Sequence, residues 1–82
     1  MVLVLTEILI LFEEHERNRE WFEKNYDALV DIYDGKFIAI YKQAVIDSDE
    51  DVGRLVENVE KKYPLDSVSI QYVSKEKLQL IL

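Results

Sequence analysis

The chain of 82 residues contains no cysteine, one proline, two glycines and a single histidine. Without cysteine there is no disulfide, no thiolate metal site and no cysteine nucleophile. Two glycines are too few for a glycine-rich phosphate loop. The spacing assigns no catalytic partner to His15, which we interpret as a surface or interface residue. We therefore predict that the protein is not an enzyme and that it carries no cofactor.

The chain also lacks an apolar run long enough to cross a membrane. Residues 1–12 are mostly apolar, but Thr6 and Glu7 interrupt the run and Glu13 ends it, whereas a membrane span needs ~20 residues. The basic region and the small-residue cleavage site of a signal peptide are missing as well. We predict a cytoplasmic protein with no membrane partner.

Positive charge is scarce. The formal net charge is −7 and the pI is about 4.6, so the average field repels nucleic acid and anionic membranes. Residues 1–34 hold nine acids and three bases, and we interpret this acidic excess as a solvated helix surface. We predict no nucleic-acid partner. The alternative is a basic patch made by Arg17, Arg19, Lys61 and Lys62.

The first residues are apolar on nearly every side of a helix. Such a helix must be buried nearly all round, and one small domain hardly provides that burial. We therefore predict a homo-oligomer, with a dimer favoured; a central core helix or a buried strand is the alternative. The predicted self-association residues are Leu5, Ile8, Leu9, Leu11 and Phe12. On this basis we divide the chain into an N-terminal helical extension (1–20) and a small α+β domain (21–82).

The periodicity predicts an α+β fold with helices packed on one small sheet. Residues 6–33 form one helix, or two with Asn18 as the cap of the second, and Asp34-Gly35 ends the helical region. Residues 37–46 form a β-hairpin whose turn lacks the Asn-Gly signature.

The second half of the chain continues the same pattern. Residues 52–63 form an amphipathic helix that Pro64 ends, and the alternation of Val68, Ile70 and Tyr72 predicts a half-buried strand. Residues 78–82 form a last strand or a short helix, and we favour the strand.

The stretch D-S-D-E-D, residues 47–51, is the one concentration of acidic groups that suggests chemistry. An EF-hand beginning there would have Val52 in place of the required glycine and Asn58 in place of the bidentate glutamate. A helix start explains the stretch better, with a serine or aspartate cap followed by acids in the first turn. Ser48 as the cap, with Asp51 three residues later, approximates a capping box. The weak metal candidates, which are also the candidates for a small enzyme, are Asp47, Asp49, Glu50 and Asp51.

Three further stretches carry a resemblance: W-F-E-K-N-Y-D-A-L (21–29), Y-D-G-K-F-I-A-I (33–40) and A-V-I-D (44–47). A Trp-x4-Tyr helix followed by a Tyr-x-Gly-Lys-aromatic-aliphatic-Ala strand resembles a family of small archaeal and bacterial domains of unknown function. The similarity covers residues 21–73. It implies this architecture and carries no catalytic residue over to the chain. The high Glu and Lys content and the absence of cysteine are compatible with a thermophilic source.

We interpret the chain as a non-enzymatic protein–protein interaction module. It self-associates through its apolar N-terminal helix, and its sheet edge or its acidic helix surface receives a partner. One alternative is an antitoxin-like regulatory partner of a basic protein. The other is a divalent-cation-binding protein or small enzyme that uses residues 47–51.

Overall fold

A computed structural model describes residues 5–75, with side chains from Phe12 onward. The elements are α1 (Leu5–Lys24), α2 (Tyr26–Tyr33), β1 (Lys36–Ile40), β2 (Val45–Asp49), α3 (Val52–Glu60), a 3-10 turn (Leu65–Ser67) and β3 (Ser69–Val73). The predicted order of helix, hairpin, helix and strand is confirmed, and so is the α+β class. The predicted element at 78–82 and the side chains of Leu5, Ile8, Leu9 and Leu11 lie outside the described part. No helix of the described chain is both long enough and apolar enough to cross a membrane.

The three strands form an antiparallel sheet in the order β2-β1-β3, so β2 and β3 are the outer strands of the sheet within residues 5–75. The central strand β1 is covered on both faces, because Ile38, Ala39 and Ile40 are fully buried. On one face Ile38 and Ile40 pack with residues of α1 and α2 and with Val73. On the other face Ala39 packs with α3. The helices therefore lie on opposite sides of one small sheet.

The long helical region breaks at Asn25, between α1 and α2. The Asn25 side-chain amide donates to the Trp21 carbonyl (2.8 Å), and the Asn25 carbonyl accepts the first hydrogen bond of α2 from Leu29. The prediction of Asn18 as a cap is wrong, because Asn18 lies inside α1 and is only 1% exposed. Helix α1 continues through residue 20 without interruption. The division into an N-terminal extension (1–20) and a domain (21–82) stays a prediction from the sequence.

Two connections depend on a left-handed backbone. Gly35, with φ +82°, follows the end of α2 and donates its N–H to the Val73 carbonyl (2.8 Å). The β1–β2 hairpin turns at Lys42 and Gln43, whose φ angles of 50° and 62° are those of a type I′ turn. Neither of these two residues is Gly, Asn or Asp, so the turn costs about 1–2 kcal/mol per residue and needs support from elsewhere.

Candidate functional site

The acidic stretch is divided between the end of a strand and the start of a helix. Asp47, Ser48 and Asp49 belong to β2, because they pair with Ala39, Ile38 and Phe37 of β1. The prediction of Ser48 as a cap is therefore wrong: the strand continues through it. Asp51 caps α3 instead, since its Oδ1 accepts from the Arg54 N–H (3.1 Å). The predicted acids in the first helical turn are absent from α3.

Asp49 forms a bidentate ion pair with Arg54. Nε of Arg54 donates to Oδ2 and the Arg54 terminal nitrogen Nη2 to Oδ1, each at 2.8 Å. The Asp51 N–H also donates to Oδ1 (2.8 Å). These bonds, above all those from Arg54, lower the pKa of the Asp49 carboxyl well below its usual range. Asp49 is therefore a fixed carboxylate that joins β2 to α3.

The other acids of the stretch point to no shared ligand. Asp47 accepts from the neighbouring Ser48 N–H (2.8 Å), and Glu50 is exposed. Within residues 12–75, no three side chains of histidine, aspartate or glutamate are grouped so that they could hold a metal ion. A cation bound by Asp49 would have to displace Arg54.

The candidate basic residues lie in two separate places. On α1, Arg17 pairs with Glu13 (3.3 Å) and Arg19 with Glu16 (2.7 Å), so these guanidinium groups are partly neutralised. Lys61 and Lys62 follow α3 and line a cavity of about 290 Å³ between α3 and β2, together with Ile46, Asp47, Asn58, Val59 and Tyr63. The structure does not join the four basic residues into one patch.

A continuous polar network fastens α1 to the sheet. His15 Nε2 donates to the Asp66 carbonyl (2.6 Å). In the tautomer with the proton on that nitrogen alone, Nδ1 accepts from the Ser69 hydroxyl (2.8 Å). Ser69 Oγ in turn accepts from Asn18 Nδ2 (3.2 Å). The network thus connects α1, the 3-10 turn and the start of β3.

Asn18 is the buried centre of this network. Its Nδ2 also donates to the Ile40 carbonyl (3.3 Å), and its Oδ1 accepts from the Gln43 N–H (3.0 Å). The second bond supports the left-handed hairpin turn. Among the described side chains, no buried polar atom lacks a hydrogen-bond partner. The buried polar atoms of the network therefore all have hydrogen-bond partners, and the network links α1 to the sheet. We call His15, Asn18 and Ser69 with their partners the polar clamp.

Beyond this clamp, α1 and β3 enclose an open groove. Its cavity measures about 330 Å³ and is lined by Phe12, His15, Glu16 and Arg19 of α1 together with residues 68–71. Phe12 is 63% exposed although it is a large apolar side chain. We call this surface the α1–β3 groove. It is the one place where a predicted self-association residue can be located, and it adjoins an edge strand of the sheet.

The polar clamp escaped the sequence prediction. Ser69 and Asp66 lie 54 and 51 residues from His15, so no local spacing joins them. One local signal exists: His15, Asn18 and Phe22 recur at steps of three and four and so share one side of a helix. Phe22 and Asn18 are buried, and His15 lies on the same side of the helix but is exposed.

Comparison with known proteins gives one match. The profile of a family of unknown function (DUF5678) matches residues 28–76, from α2 to just beyond β3, which is more than half of the chain. The chain matches no curated protein sequence and no solved structure.

Proposed function

We propose that this chain, which belongs to that family of unknown function (DUF5678), is a non-enzymatic protein–protein interaction module of the cytoplasm. It self-associates, as a dimer in the simplest case, through the first turns of α1. The observation that carries the proposal is the exposure of Phe12 on a helix whose later turns are packed against the sheet.

The two halves of α1 differ in what they contact. Asn18 and Phe22, in the second half, are buried against the sheet and α2. Phe12 lies more than one turn earlier and is mostly exposed. The sequence before Phe12 is apolar apart from Thr6 and Glu7. An apolar surface of this kind on a helix is typical of a protein contact.

The small size of the domain supports the same conclusion. A chain of this length buries only somewhat more than ~60% of its unfolded surface, and this one has no cysteine to add cross-links. Association of two copies supplies further buried apolar area. The buried residues described here form two small clusters, one on each face of a three-stranded sheet, so additional burial would contribute substantially.

The test compares Phe12→Glu with Ile32→Glu by analytical ultracentrifugation of the full chain. Ile32 is a matched control because it is 66% exposed, also on a helix. We expect Phe12→Glu to raise the dimer dissociation constant at least about tenfold, because a carboxylate would be buried in the contact. Ile32→Glu should leave the constant unchanged.

Two results would contradict the proposal. One is an intact chain that sediments as a folded monomer at all accessible concentrations. The other is equal weakening by both variants, which would indicate a general charge effect and not a contact at Phe12.

The cation-binding alternative is tested separately. Calcium or magnesium is titrated into the protein while NMR shifts of residues 47–51 are followed. Because Arg54 occupies both Asp49 oxygens, we expect no saturable shift confined to this stretch. Saturation at millimolar or lower concentration would favour the alternative.

A further inference from the structure

We propose that the edge of β3 that faces away from β1 pairs, antiparallel, with β3 of a second copy of this chain, so that two sheets join into one. This inference rests on the proposed self-association and names a second contact within it. The partner is another molecule of the same chain.

Hydrogen bonding across the hairpin shows which backbone groups of β3 face outward. Tyr41 and Ala44 exchange both backbone hydrogen bonds (2.9 and 3.2 Å), so Tyr41 is directed toward β2. Backbone direction alternates along a strand, so Ile38 and Ile40 are directed toward β3, where Gln71 and Ser69 are their partners. Ile70 and Tyr72 therefore direct their N–H and C=O groups away from β1.

The Val73 carbonyl gives an independent check of this alternation. It accepts from the Gly35 N–H at the start of β1, so Val73 is directed inward, as the same alternation requires. Ile70 and Tyr72 lie between the inward residues and have no strand beside them in the described sheet.

One register satisfies all of these groups. If Ile70 lies opposite Tyr72 of the second copy, the two strands form four backbone hydrogen bonds. Gln71 then lies opposite Gln71 of the second copy, on the symmetry axis. The register also places an aliphatic side chain beside an aromatic one, which is a favourable cross-strand pair.

The absence of charge along β3 favours pairing with a second copy. None of residues 67–73 is charged, although 33% of the chain is. Two copies that each carry a net charge of −7 repel each other, and a contact through this uncharged strip brings no like charges of β3 together. The opposite edge differs: β2 carries Asp47 and Asp49 and contains an irregularity in its pairing with β1. Charges and bulges are the features that keep edge strands from pairing.

The α1–β3 groove connects this contact to the one proposed at Phe12. A five-residue strand, about 17 Å long, supplies only part of the ~800 Å² per partner that a stable interface requires. A second strand beside β3 would also fill the groove that Phe12, Glu16 and Arg19 form with residues 68–71. Strand pairing and the apolar helix would therefore contribute to one continuous interface.

The test uses the absence of cysteine from the chain. In the proposed register residue 71 faces its own copy at a Cα distance of ~4.5 Å, within the range for a disulfide. The full-length variant Gln71→Cys is oxidised at a concentration where the native chain is dimeric, and covalent dimer is measured on a non-reducing gel. Ser48→Cys is the matched control. Ser48 and Gln71 both pair with Ile38, so they lie in one row across the sheet, but Ser48 is on β2, the opposite outer strand.

We expect at least about tenfold more covalent dimer from Gln71→Cys than from Ser48→Cys, because only the former faces its own copy. In the unmodified protein, the Ile70 and Tyr72 amides should exchange with solvent at least about tenfold faster on dilution to monomer. This second measurement does not depend on the folding of a variant.

Three outcomes would overturn the inference. Equal cross-linking of both variants in a chain whose dimer depends on Phe12 leaves the proposed function intact and removes the β3 contact. An intact chain that stays monomeric would contradict both the proposed function and the β3 contact. Internal cross-linking in a monomer that carries Gln71→Cys and Leu80→Cys would show that the chain's own residues 76–82 cover the edge.

Discussion

The two edges of the sheet are held and protected in different ways. At the β2 edge, charged groups attach a helix to the strand: Asp49 binds Arg54 of α3, and Asp51 caps the same helix. At the β3 edge, uncharged groups attach α1 to the strand: His15 and Asn18 form hydrogen bonds with Ser69. The charged edge discourages another strand, whereas the neutral edge carries no charge, and no strand of the described sheet lies beside Ile70 and Tyr72 there. The neutral edge is therefore the one that we propose as the contact with a second copy.

Asn18→Ala should lower the stability of the fold most, because it removes the centre of the polar clamp. The substitution leaves the Gln43 N–H without its acceptor, removes the donor to the Ser69 hydroxyl oxygen and the Ile40 carbonyl, and opens a small cavity. We expect the free energy of unfolding to fall by about 2–4 kcal/mol. Urea unfolding followed by circular dichroism measures the loss.

Asn58→Ala is the matched control for that experiment. Asn58 is exposed on α3, so its replacement should change stability by no more than about 0.5 kcal/mol. A loss below about 1 kcal/mol for Asn18→Ala would show that water replaces the clamp, and the contrast between the two edges would fail.

Asp51→Ala should have an intermediate effect on the charged side. It removes the side-chain acceptor of the Arg54 N–H at the start of α3, which costs about 1 kcal/mol. Asp51→Ser retains an acceptor and should recover most of the loss. If serine and alanine are equally destabilising at pH 7, the carboxylate charge and not the cap is what matters.

Asp49→Asn should have the smallest effect at neutral pH, because the Arg54 side chain is 63% exposed and solvent weakens the pair. Its effect should depend on pH. The pKa of Asp49 is lowered in the folded state, chiefly by Arg54, so its stabilising contribution is complete above the unfolded pKa and is lost as the pH falls through the lowered value. The stability difference between native chain and variant should therefore shrink below about pH 4.

Unfolding at pH 7 and pH 3, with and without added salt, measures this dependence. Arg54→Ala should show the same pH profile, and combining it with Asp49→Asn should add little. High salt should reduce the effect of Asp49→Asn and leave that of Asn18→Ala unchanged, because only the former is ionic. A pH-independent difference would mean that Asp49 contributes through packing alone.

Much of the fold could be predicted from local patterns. The helical period of Leu55 and Val59, the apolar run of β1 and the glycine after α2 each specify an element without reference to the rest of the chain. Boundaries were less predictable. The acidic residues at the end of β2 look like a helix start, because the sequence does not reveal that pairing with β1 extends the strand through Ser48 and Asp49.

Helical periodicity shows the same limit. Phe12, Arg19, Phe22 and Leu29 recur at steps of seven and three, as residues on one side of a helix do, yet only the last two are buried. The break at Asn25 reorients α2, and the inward side of α1 is centred on Asn18 instead. A periodic pattern cannot show that a buried position is polar when its partners lie on distant strands.

The sequence by itself determined the class of the protein. Its length, its lack of cysteine, its periodic apolar pattern and its apolar N-terminal segment lead to a small α+β domain in which self-association is expected, because these properties can be read along the chain without knowing which distant residues meet. Only the tertiary structure decided which groups meet. It joined His15 to Ser69 across 54 residues, fixed Asp49 on Arg54, and directed the backbone groups of Ile70 and Tyr72 away from β1, where the described sheet has no further strand. Hydrogen bonds require specific distances and directions, and these arise only when the chain has folded.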